Sequence, residues 1–392
     1  MQLSSTQLLS TLVGFDTTSR HSNLQLVEWV ANYLSNLGVV PRLIHDTEGR
    51  KANLFATLGP LDRGGVCLHG HTDVVPVDGQ PWRSDPFRLT ERAGLWFGRG
   101  TSDMKAWIAC CLAAASLHRS RTLRTPIHLA LSYDEEVGCL GAPGLIACFD
   151  ESLPKPRLAI IGEPSLMAPI TAHKGLVALD TTVTGLDAHS SLLHRGVSAV
   201  SAAAEIAVEL HEIAREWMNR PGPRDMSPSG PTVSVGQLRG GVARNVIARE
   251  ARLLWEVRFR AGDSPEQLLE QISTRVQSRL RHSFRDRFED LVVETVEVAR
   301  IPAFDAGVGG SAELLARRLG AEGDAQAVPY GAEAGQYAAA GVSTVICGPA
   351  SIEQAHQANE FIAAAQVVAC DRFLSRLFER CSTTELDAEL PR

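Results

Sequence analysis

The feature of this 392-residue sequence that most constrains its fold is a layout that occurs three times. A short apolar run ends in histidine or carboxylate residues: 66–69 leads to His71-Thr72-Asp73, 127–131 to Asp134-Glu135-Glu136, and 158–161 to Gly162-Glu163-Pro164. Apolar runs that end in charged residues or proline are typical of buried strands. Because the intervening segments have helical patterns, we expect an α/β sheet that brings these polar groups to one edge.

The triplet His71-Thr72-Asp73 is the first candidate for a metal ligand. In an extended strand these two polar side chains point to the same side, so the Asp73 carboxylate can accept one ring N–H of His71. The other ring nitrogen then remains free for a metal. Taken alone, however, the triplet is explained more simply by a strand end with a hydrogen-bonded surface histidine.

The acidic run 134–136 concentrates like charge, which is unfavourable unless a cation or a proton compensates it. A solvated acidic loop is the simpler alternative for this run. Helix capping is the alternative for Asp103, which ends a glycine-flanked loop before the predicted helix 106–117. Recurrence of the layout at Glu163 favours a shared site. His356, which follows a strand and a Gly-Pro turn, is the fifth candidate ligand.

Composition narrows the class of protein. A net charge of −7 without a Lys/Arg block argues against nucleic acid or an anionic membrane as the main partner. The N-terminal residues have neither a basic leader nor a long apolar run, so we expect a cytoplasmic protein without a membrane anchor. The 8 cysteines are scattered and lie mostly in apolar runs, which favours reduced core thiols over disulfides or a cysteine zinc site.

A change of pattern near His173 predicts that a second domain is inserted into the first. In 173–300 we expect the order βαββαβ of a ferredoxin-like α+β unit, with strands 176–185, 231–239, 250–260 and 290–300 and helices 197–216 and 264–285. Residues 1–172 and 301–392 then form one discontinuous α/β domain with a mixed sheet. Its further predicted elements are helices 3–19, 22–37 and 309–320 and strands 39–45, 52–58 and 343–347.

Together, these motifs resemble the M20 metallopeptidase family, and their order and spacing cover most of the chain. The matching segments are His71-Thr-Asp73, Gly100-Thr-Ser-Asp103-Met-Lys, Asp134-Glu135-Glu136, Gly162-Glu163-Pro and Ala355-His356. Longer segments are most similar to the members that deacetylate N-acetylornithine: 132–141, His173-Lys-Gly175, Ala188-His189-Ser-Ser191 and Ala243-Arg-Asn245-Val-Ile. The chain departs from the family at Ala106, where glycine is common, and at Ala332, where threonine is common.

The resemblance implies a zinc-hydrolase catalytic domain that holds two Zn²⁺ ions, with Co²⁺ able to replace one. Asp103 would bridge the two ions, with His71 and Glu163 on one and Glu136 and His356 on the other. A mixed shell of histidines and carboxylates suits such cations and leaves coordination positions open for chemistry.

The resemblance also implies roles for residues that do not bind metal. Glu135 would be the general base, with Asp73 as the residue that orients His71. His189, from an inserted dimerisation and lid domain, would donate to the oxyanion in the partner subunit's site, so a homodimer is implied. Asn245 and Arg258 would hold a small N-acyl amino acid, although both are also explained as ordinary strand-surface residues.

The activity implied by the resemblance is removal of acetyl from N2-acetyl-L-ornithine, giving L-ornithine and acetate in arginine biosynthesis. Succinyl-diaminopimelate desuccinylases and other N-acyl-amino-acid deacylases or carboxypeptidases share the catalytic motifs. A silent binding protein on the same scaffold is disfavoured because all five candidate ligands and the base are present. A hydrolase with Cys139 or Cys67 as nucleophile is disfavoured because the local sequence offers no clear partner histidine for either.

Overall fold

The computed structural model describes residues 3–222 and 224–385, and the chain divides into two compact units. The first unit comprises Met1–Ala172, Asp305–Gln326 and Ala332–Arg392, and the second comprises His173–Phe304 and Ala327–Gly331. The second unit therefore reaches Phe304, beyond the expected limit at residue 300, and includes a short additional piece near residue 330.

The elements alternate between strands and helices along most of the chain. The strands are β1 (Arg42–His45), β2 (Ala52–Leu58), β3 (Val66–His71), β4 (Thr90–Arg92), β5 (Leu95–Phe97), β6 (Ile127–Ser132), β7 (Leu158–Pro164), β8 (Ile170–His173), β9 (Gly175–Thr184), β10 (Thr232–Gly240), β11 (Glu250–Phe259), β12 (Val292–Ile301), β13 (Phe304–Asp305), β14 (Gln326–Val328), β15 (Ser343–Gly348) and β16 (Phe361–Ala363). The helices are α1 (Ser5–Val13), α2 (Leu24–Ser35), α3 (Lys105–Leu117), α4 (Ala142–Ile146), α5 (Ala199–Trp217), α6 (Pro265–Phe284), α7 (Ser311–Leu319), α8 (Ala334–Ala339) and α9 (Ala364–Thr383), with 3₁₀ turns at Arg285–Asp290 and Ile352–Gln354.

The main sheet of the first unit is mixed, which confirms the predicted α/β class. Its strands follow the order β1-β2-β6-β3-β7-β15-β8. The central strands β6, β3, β7 and β15 are parallel to one another, whereas β1 is antiparallel to β2, β2 to β6 and β8 to β15. In the register of the centre, His71 lies opposite Ser132 and His69 lies opposite Ile161. Because β6, β3 and β7 run in the same direction, all three predicted strand ends lie at one edge of the sheet.

Helix α3 packs so closely on this sheet that the strand beneath it has no room for a side chain at Gly162. Eleven of the helix's 13 residues are buried, from Lys105 to Ser116. A Cβ atom on Gly162 would lie 2.1 Å from Cγ of the Trp107 ring, so the helix approaches β7 over bare backbone. Among the helices of 3–222 and 224–385, none has both the length and the apolar character needed to cross a membrane.

The second unit is a four-stranded antiparallel sheet with helices α5 and α6 packed together on it. The strand order is β10-β11-β9-β12, and the element order β9-α5-β10-β11-α6-β12 confirms the predicted βαββαβ arrangement. Strand β11 alternates between exposed and buried positions, as the sequence indicates, and its inward side chains join a core with the apolar faces of α5 and α6.

Some predicted bounds were wrong for local physical reasons. Helix α1 ends at Val13 instead of residue 19, because the Asp16 carboxylate accepts both the backbone N–H and the hydroxyl of Thr18 and so stabilises a turn. The small sheet β16-β5-β4 was not predicted, since its strands have only three residues each. Helix α9 was missed although its buried residues recur at helical spacing, from Val367 to Cys381.

We predict that Gly162→Ala destabilises the first unit. The added methyl group overlaps the Trp107 ring, and overpacking of this kind costs about 1–3 kcal/mol in the free energy of unfolding. Chemical denaturation in the presence of a chelator measures this cost without a contribution from metal binding. Gly144→Ala is the matched control, because the nearest atom to its added Cβ is 3.9 Å away and alanine is favoured within α4. Equal unfolding free energies for wild type and Gly162→Ala would contradict the close-packing account.

Candidate active site at the strand ends

Five candidate ligands lie together at the carboxyl edge of the parallel strands. His71 is the last residue of β3, Glu163 lies within the end of β7, and Glu136 follows β6. Asp103 lies two residues before the start of α3, and His356 lies in the loop after the 3₁₀ turn that follows β15. The sequence predicted each of them as a candidate from its position next to a strongly apolar element, and the structure brings the five together.

The distances between these side chains form two histidine–carboxylate groups that share Asp103. Nε2 of His71 lies 2.9 Å from Oδ1 of Asp103 and 3.9 Å from Oε1 of Glu163. Nε2 of His356 lies 3.4 Å from Oδ2 of Asp103 and 3.0 Å from Oε2 of Glu136. Each oxygen of the Asp103 carboxylate therefore faces a different histidine. The side chain does not cap α3, which was the alternative explanation for it.

The donor set fits divalent cations. Ligand atoms of His71, Asp103 and Glu136 lie within 4.8 Å of one another, and the same is true of His71, Glu135 and Glu163. Oε1 of Glu163 is buried and accepts no hydrogen bond from the described residues. A buried carboxylate oxygen without a donor is costly, and a metal ion would compensate it. Histidine nitrogens mixed with carboxylate oxygens are the ligands that zinc and related ions bind.

Electrostatics within the cluster indicates the same need for positive charge. Burial, together with the charge of Glu163, raises the pKa of Glu135 well above its ordinary value. Burial and Asp103 raise the pKa of Glu163 well above the ordinary value and that of Glu136 to about 7. Hydrogen bonds to Asp103 and Glu136 raise the pKa of His356 to about 10. These shifts show that the cluster favours bound protons when no metal compensates the carboxylates.

Asp73 orients the cluster, but not with the atom that the sequence suggested. The Nδ1–H of His71 donates to the main-chain carbonyl of Asp73 at 2.9 Å, while the nearest carboxylate oxygen of Asp73 lies 3.6 Å away. The prediction of a carboxylate acceptor assumed an extended strand, and β3 ends at His71. The Asp73 carboxylate instead accepts the Ser19 hydroxyl at 2.7 Å and the backbone N–H groups of Glu135 and Glu136 at 3.1 and 3.2 Å. Asp73 thus fixes both the histidine ring and the acidic loop.

The cysteine alternatives lack activated thiols. Cys139 is buried, and its Sγ donates to Oε1 of Glu135 at 3.4 Å. Burial and the charge of Glu135 raise the pKa of the Cys139 thiol well above its ordinary value. Burial raises the pKa of Cys67 to about 12. Since a thiolate is the reactive form, neither residue is suited to be a nucleophile.

A second buried network lies beneath the cluster and was largely missed. Nε2 of His69 is hydrogen-bonded to Glu333, and Nδ1 of His69 lies 2.8 Å from the Tyr337 hydroxyl. The Ser132 hydroxyl donates to Oε2 of Glu333 at 2.9 Å. Glu333 follows Ala332, the position of the second family departure. No local pattern indicates these contacts, because Ser132 and His69 are 201 and 264 positions away from Glu333 in the chain.

The three other predicted site residues belong to the second unit, where they lie in two separate places. His189 and Asn245 lie together on neighbouring loops: a β-bridge joins His189 to Val246, and the Ser190 N–H donates to the Asn245 carbonyl at 3.0 Å. Arg258 is near the opposite end of β11, where it pairs with Leu176 at the start of β9. The length of β9 between these ends corresponds to roughly 25 Å. The Arg258 guanidinium is bound to Glu256 at 2.8 Å.

Comparisons with known proteins agree with this geometry. The model of Peptidase family M20/M25/M40 matches residues 67–380. An acetylornithine deacetylase from Myxococcus xanthus is 33% identical over 376 residues, covering 94% of this chain and 95% of the relative. One from Pasteurella multocida is 32% identical and covers 96% of this chain and 98% of the relative.

Solved structures show the same fold at lower identity. Human carnosine dipeptidase 1 superposes with a TM-score of 0.76 at 17% identity, covering 97% of each chain. The M20 family metallo-carboxypeptidase Sso-CP2 from Sulfolobus solfataricus superposes with a TM-score of 0.75 at 16% identity, covering 97% of this chain and 99% of the other. With a family match that spans both the strand-end cluster and the second unit, the chain belongs to peptidase family M20 and is a metal-dependent hydrolase of amide bonds.

Proposed function

We propose that this enzyme removes the acetyl group from the α-nitrogen of N2-acetyl-L-ornithine, giving L-ornithine and acetate in arginine biosynthesis. Family membership and the nearly full-length likeness to acetylornithine deacetylases support an amidohydrolase of N-acyl amino acids. The observation that carries the proposal is the cluster around Asp103, whose two oxygens face His71 and His356. This arrangement suits two metal ions beside one scissile amide.

The proposed cofactors are two Zn²⁺ ions, with Co²⁺ as an alternative. His71 and Glu163 would hold one ion, His356 and Glu136 the other, and Asp103 would contact both. When bound, the ions would polarise the amide carbonyl and make the attacking water more acidic. The chain itself holds the ligands in place through Asp73, which accepts hydrogen bonds from the backbone of the acidic loop.

Glu135 is the proposed general base. Its carboxylate lies beside the ligand cluster, and burial raises its pKa well above the ordinary value. The side chain would take a proton from the attacking water and transfer it to the leaving nitrogen of the amino acid. Glu135 also has ligand atoms close to those of His71 and Glu163, so ligation is the competing role.

We predict that Glu135→Gln retains both metals but lowers turnover by at least ~100-fold, which is the low end for general-base catalysis. Metal content by elemental analysis and kcat with saturating N-acetylornithine measure the two effects. Asp134→Asn is the matched control, because this neighbouring carboxylate is paired with Lys51 and lies outside the ligand groups. It should keep most of its turnover. A metal-free Glu135→Gln protein would reassign Glu135 as a ligand, and near-normal turnover would remove it from the mechanism.

The substrate assignment rests on the relatives, and the desuccinylase is its main competitor. We expect N-acetylornithine to be preferred over N-succinyl-diaminopimelate by at least ~10-fold in kcat/KM, about the discrimination of one modest polar contact. N-acetylcitrulline and N-acetylmethionine in the same assay test whether an uncharged analogue is better. Equal or reversed kcat/KM values for the first two substrates would exclude the acetylornithine assignment while leaving amide hydrolysis intact.

A homodimer is also proposed, in which His189 acts in the partner subunit's site. Within the second unit, His189 and Asn245 lie at one end of β9 and Arg258 lies near the other end, roughly 25 Å away. This separation supports separate roles for the two ends. Arg258 would hold the substrate carboxylate in its own subunit, and His189 and Asn245 would act in the site of the partner subunit.

We predict that His189→Ala lowers turnover by about 10²–10³-fold without loss of metal, the usual effect of removing one oxyanion donor. Mixing it with Glu135→Ala should restore about a quarter of wild-type activity, because random subunit exchange gives heterodimers with one complete site. His194→Ala, an exposed histidine of the same loop, is the control and should stay active. If a mass tag confirms exchange and the mixture remains inactive, His189 does not act across subunits.

A further inference from the structure

A buried ion pair that binds no metal lies next to the ligand cluster. Nη1 of Arg99 lies 2.7 Å from Oε2 of Glu360, and each side chain is only 1% exposed. Arg99 belongs to the loop between β5 and α3, and Glu360 immediately precedes β16. Neither residue is among the apolar side chains of the core. A fully buried ion pair is seldom a good source of stability, so its position requires another explanation.

The Glu360 carboxylate determines the path of the loop that carries Asp103. Its Oε1 accepts the backbone N–H groups of Ser102 at 2.7 Å and Asp103 at 3.1 Å, and its Oε2 accepts that of Gly100 at 3.1 Å. The Gly98 N–H donates to the main-chain carbonyl of Glu360 at 3.0 Å. These amides precede the first turn of α3 and have no helical acceptor. One carboxylate therefore positions the backbone of a proposed bridging ligand.

Arg99 connects the same pair to the loop that carries His356. Its Nη2 donates to Oε1 of Gln80 at 2.6 Å, and Nε2 of Gln80 donates to the main-chain carbonyl of His356 at 3.0 Å. Nη1 of Arg99 also lies 3.3 Å from the carbonyl of Gln357. The His356 side chain is 52% exposed and its φ is +61°, so packing alone does not determine its place.

We propose that Arg99 and Glu360 are positioning residues that hold Asp103 and His356 at the separation needed to share a metal. The pair acts on the backbone of both ligands without contacting the metals or the substrate. This inference rests on the proposed function only in the assignment of Asp103 and His356 as ligands. It predicts a defect in metal binding rather than in substrate recognition.

Glu360→Gln is the informative variant, because it keeps the side chain's size but removes its charge and turns one acceptor into a donor that faces backbone N–H groups. We expect the apparent Kd for Zn²⁺, measured by competition with a chelator, to rise at least ~10-fold, the usual range for residues that orient ligands. The visible absorption spectrum of the Co²⁺-loaded protein should change. With saturating metal, KM for N-acetylornithine should stay near the wild-type value while kcat falls.

Glu313→Gln is the matched control. Glu313 is also a buried carboxylate, bonded to Arg317 at 2.7 Å and to the backbone N–H of Gly309 at 2.7 Å, but it contacts none of the candidate ligands. This variant should lose thermal stability yet keep wild-type Zn²⁺ affinity and the Co²⁺ spectrum. If Glu360→Gln behaves in the same way, the pair is only structural and the proposal is wrong.

Glu360→Asp decides the question if the glutamine variant does not fold. It keeps the charge but shortens the side chain by one methylene group, so weaker Zn²⁺ binding supports the proposal and wild-type affinity overturns it. The metal titration needs no substrate. A wild-type protein that binds Zn²⁺ but fails to deacetylate N-acetylornithine would contradict the proposed function alone, whereas unchanged affinity in the Glu360 variants would contradict this inference alone.

Discussion

Repulsion among buried carboxylates is the constraint on which the site depends. Asp103, Glu135, Glu136 and Glu163 are gathered at one edge of the sheet, and burial raises the pKa of the three glutamates. Such a group is stable only with positive charge, from protons on His71 and the carboxyls or from metal ions. The parallel centre of the sheet creates this situation, because adjacent strands that run in the same direction end side by side.

Three further buried acids keep the cluster in shape without belonging to it. Asp73 accepts two backbone amides of the acidic loop, Glu360 accepts three amides before α3, and Glu333 binds His69 beneath β3. Each carboxylate accepts hydrogen bonds from donors that have no acceptor within a helix or a strand ladder. Loops that carry catalytic groups lack such ladders, so side chains from distant segments determine their geometry. This explains why the site contains more buried acid than metal binding alone requires.

The second unit has a core of its own and carries polar groups at both ends of its sheet. Its strands follow the ferredoxin-like order, and its inward residues pack against α5 and α6. Loops at one end of the sheet present His189 and Asn245, and the other end presents Arg258. The two sets of polar groups are therefore separated by the length of β9, which has ten residues. The proposed action of His189 across a dimer uses one of these ends.

The amino-acid sequence by itself determined the elements and the ligand candidates. Apolar runs that end in His71, Glu136 or Glu163 predict both a buried strand and the placement of a polar group at its end, and β2 was predicted at its observed bounds. The pattern of strands and helices also predicted the βαββαβ unit. These properties follow from local periodicity, which the sequence contains directly.

Only the tertiary structure decided how these groups meet. Asp103 faces two histidines that lie 32 and 253 positions away in the chain, and Glu360 reaches amides 257 to 260 positions away. The sequence likewise suggested the wrong acceptor atom for His71, and it gave no indication that Asn245 and Arg258 lie at opposite ends of β9. Contacts of this kind depend on strand order, register and the turn after each strand, which are settled by packing of the whole core rather than by neighbouring residues.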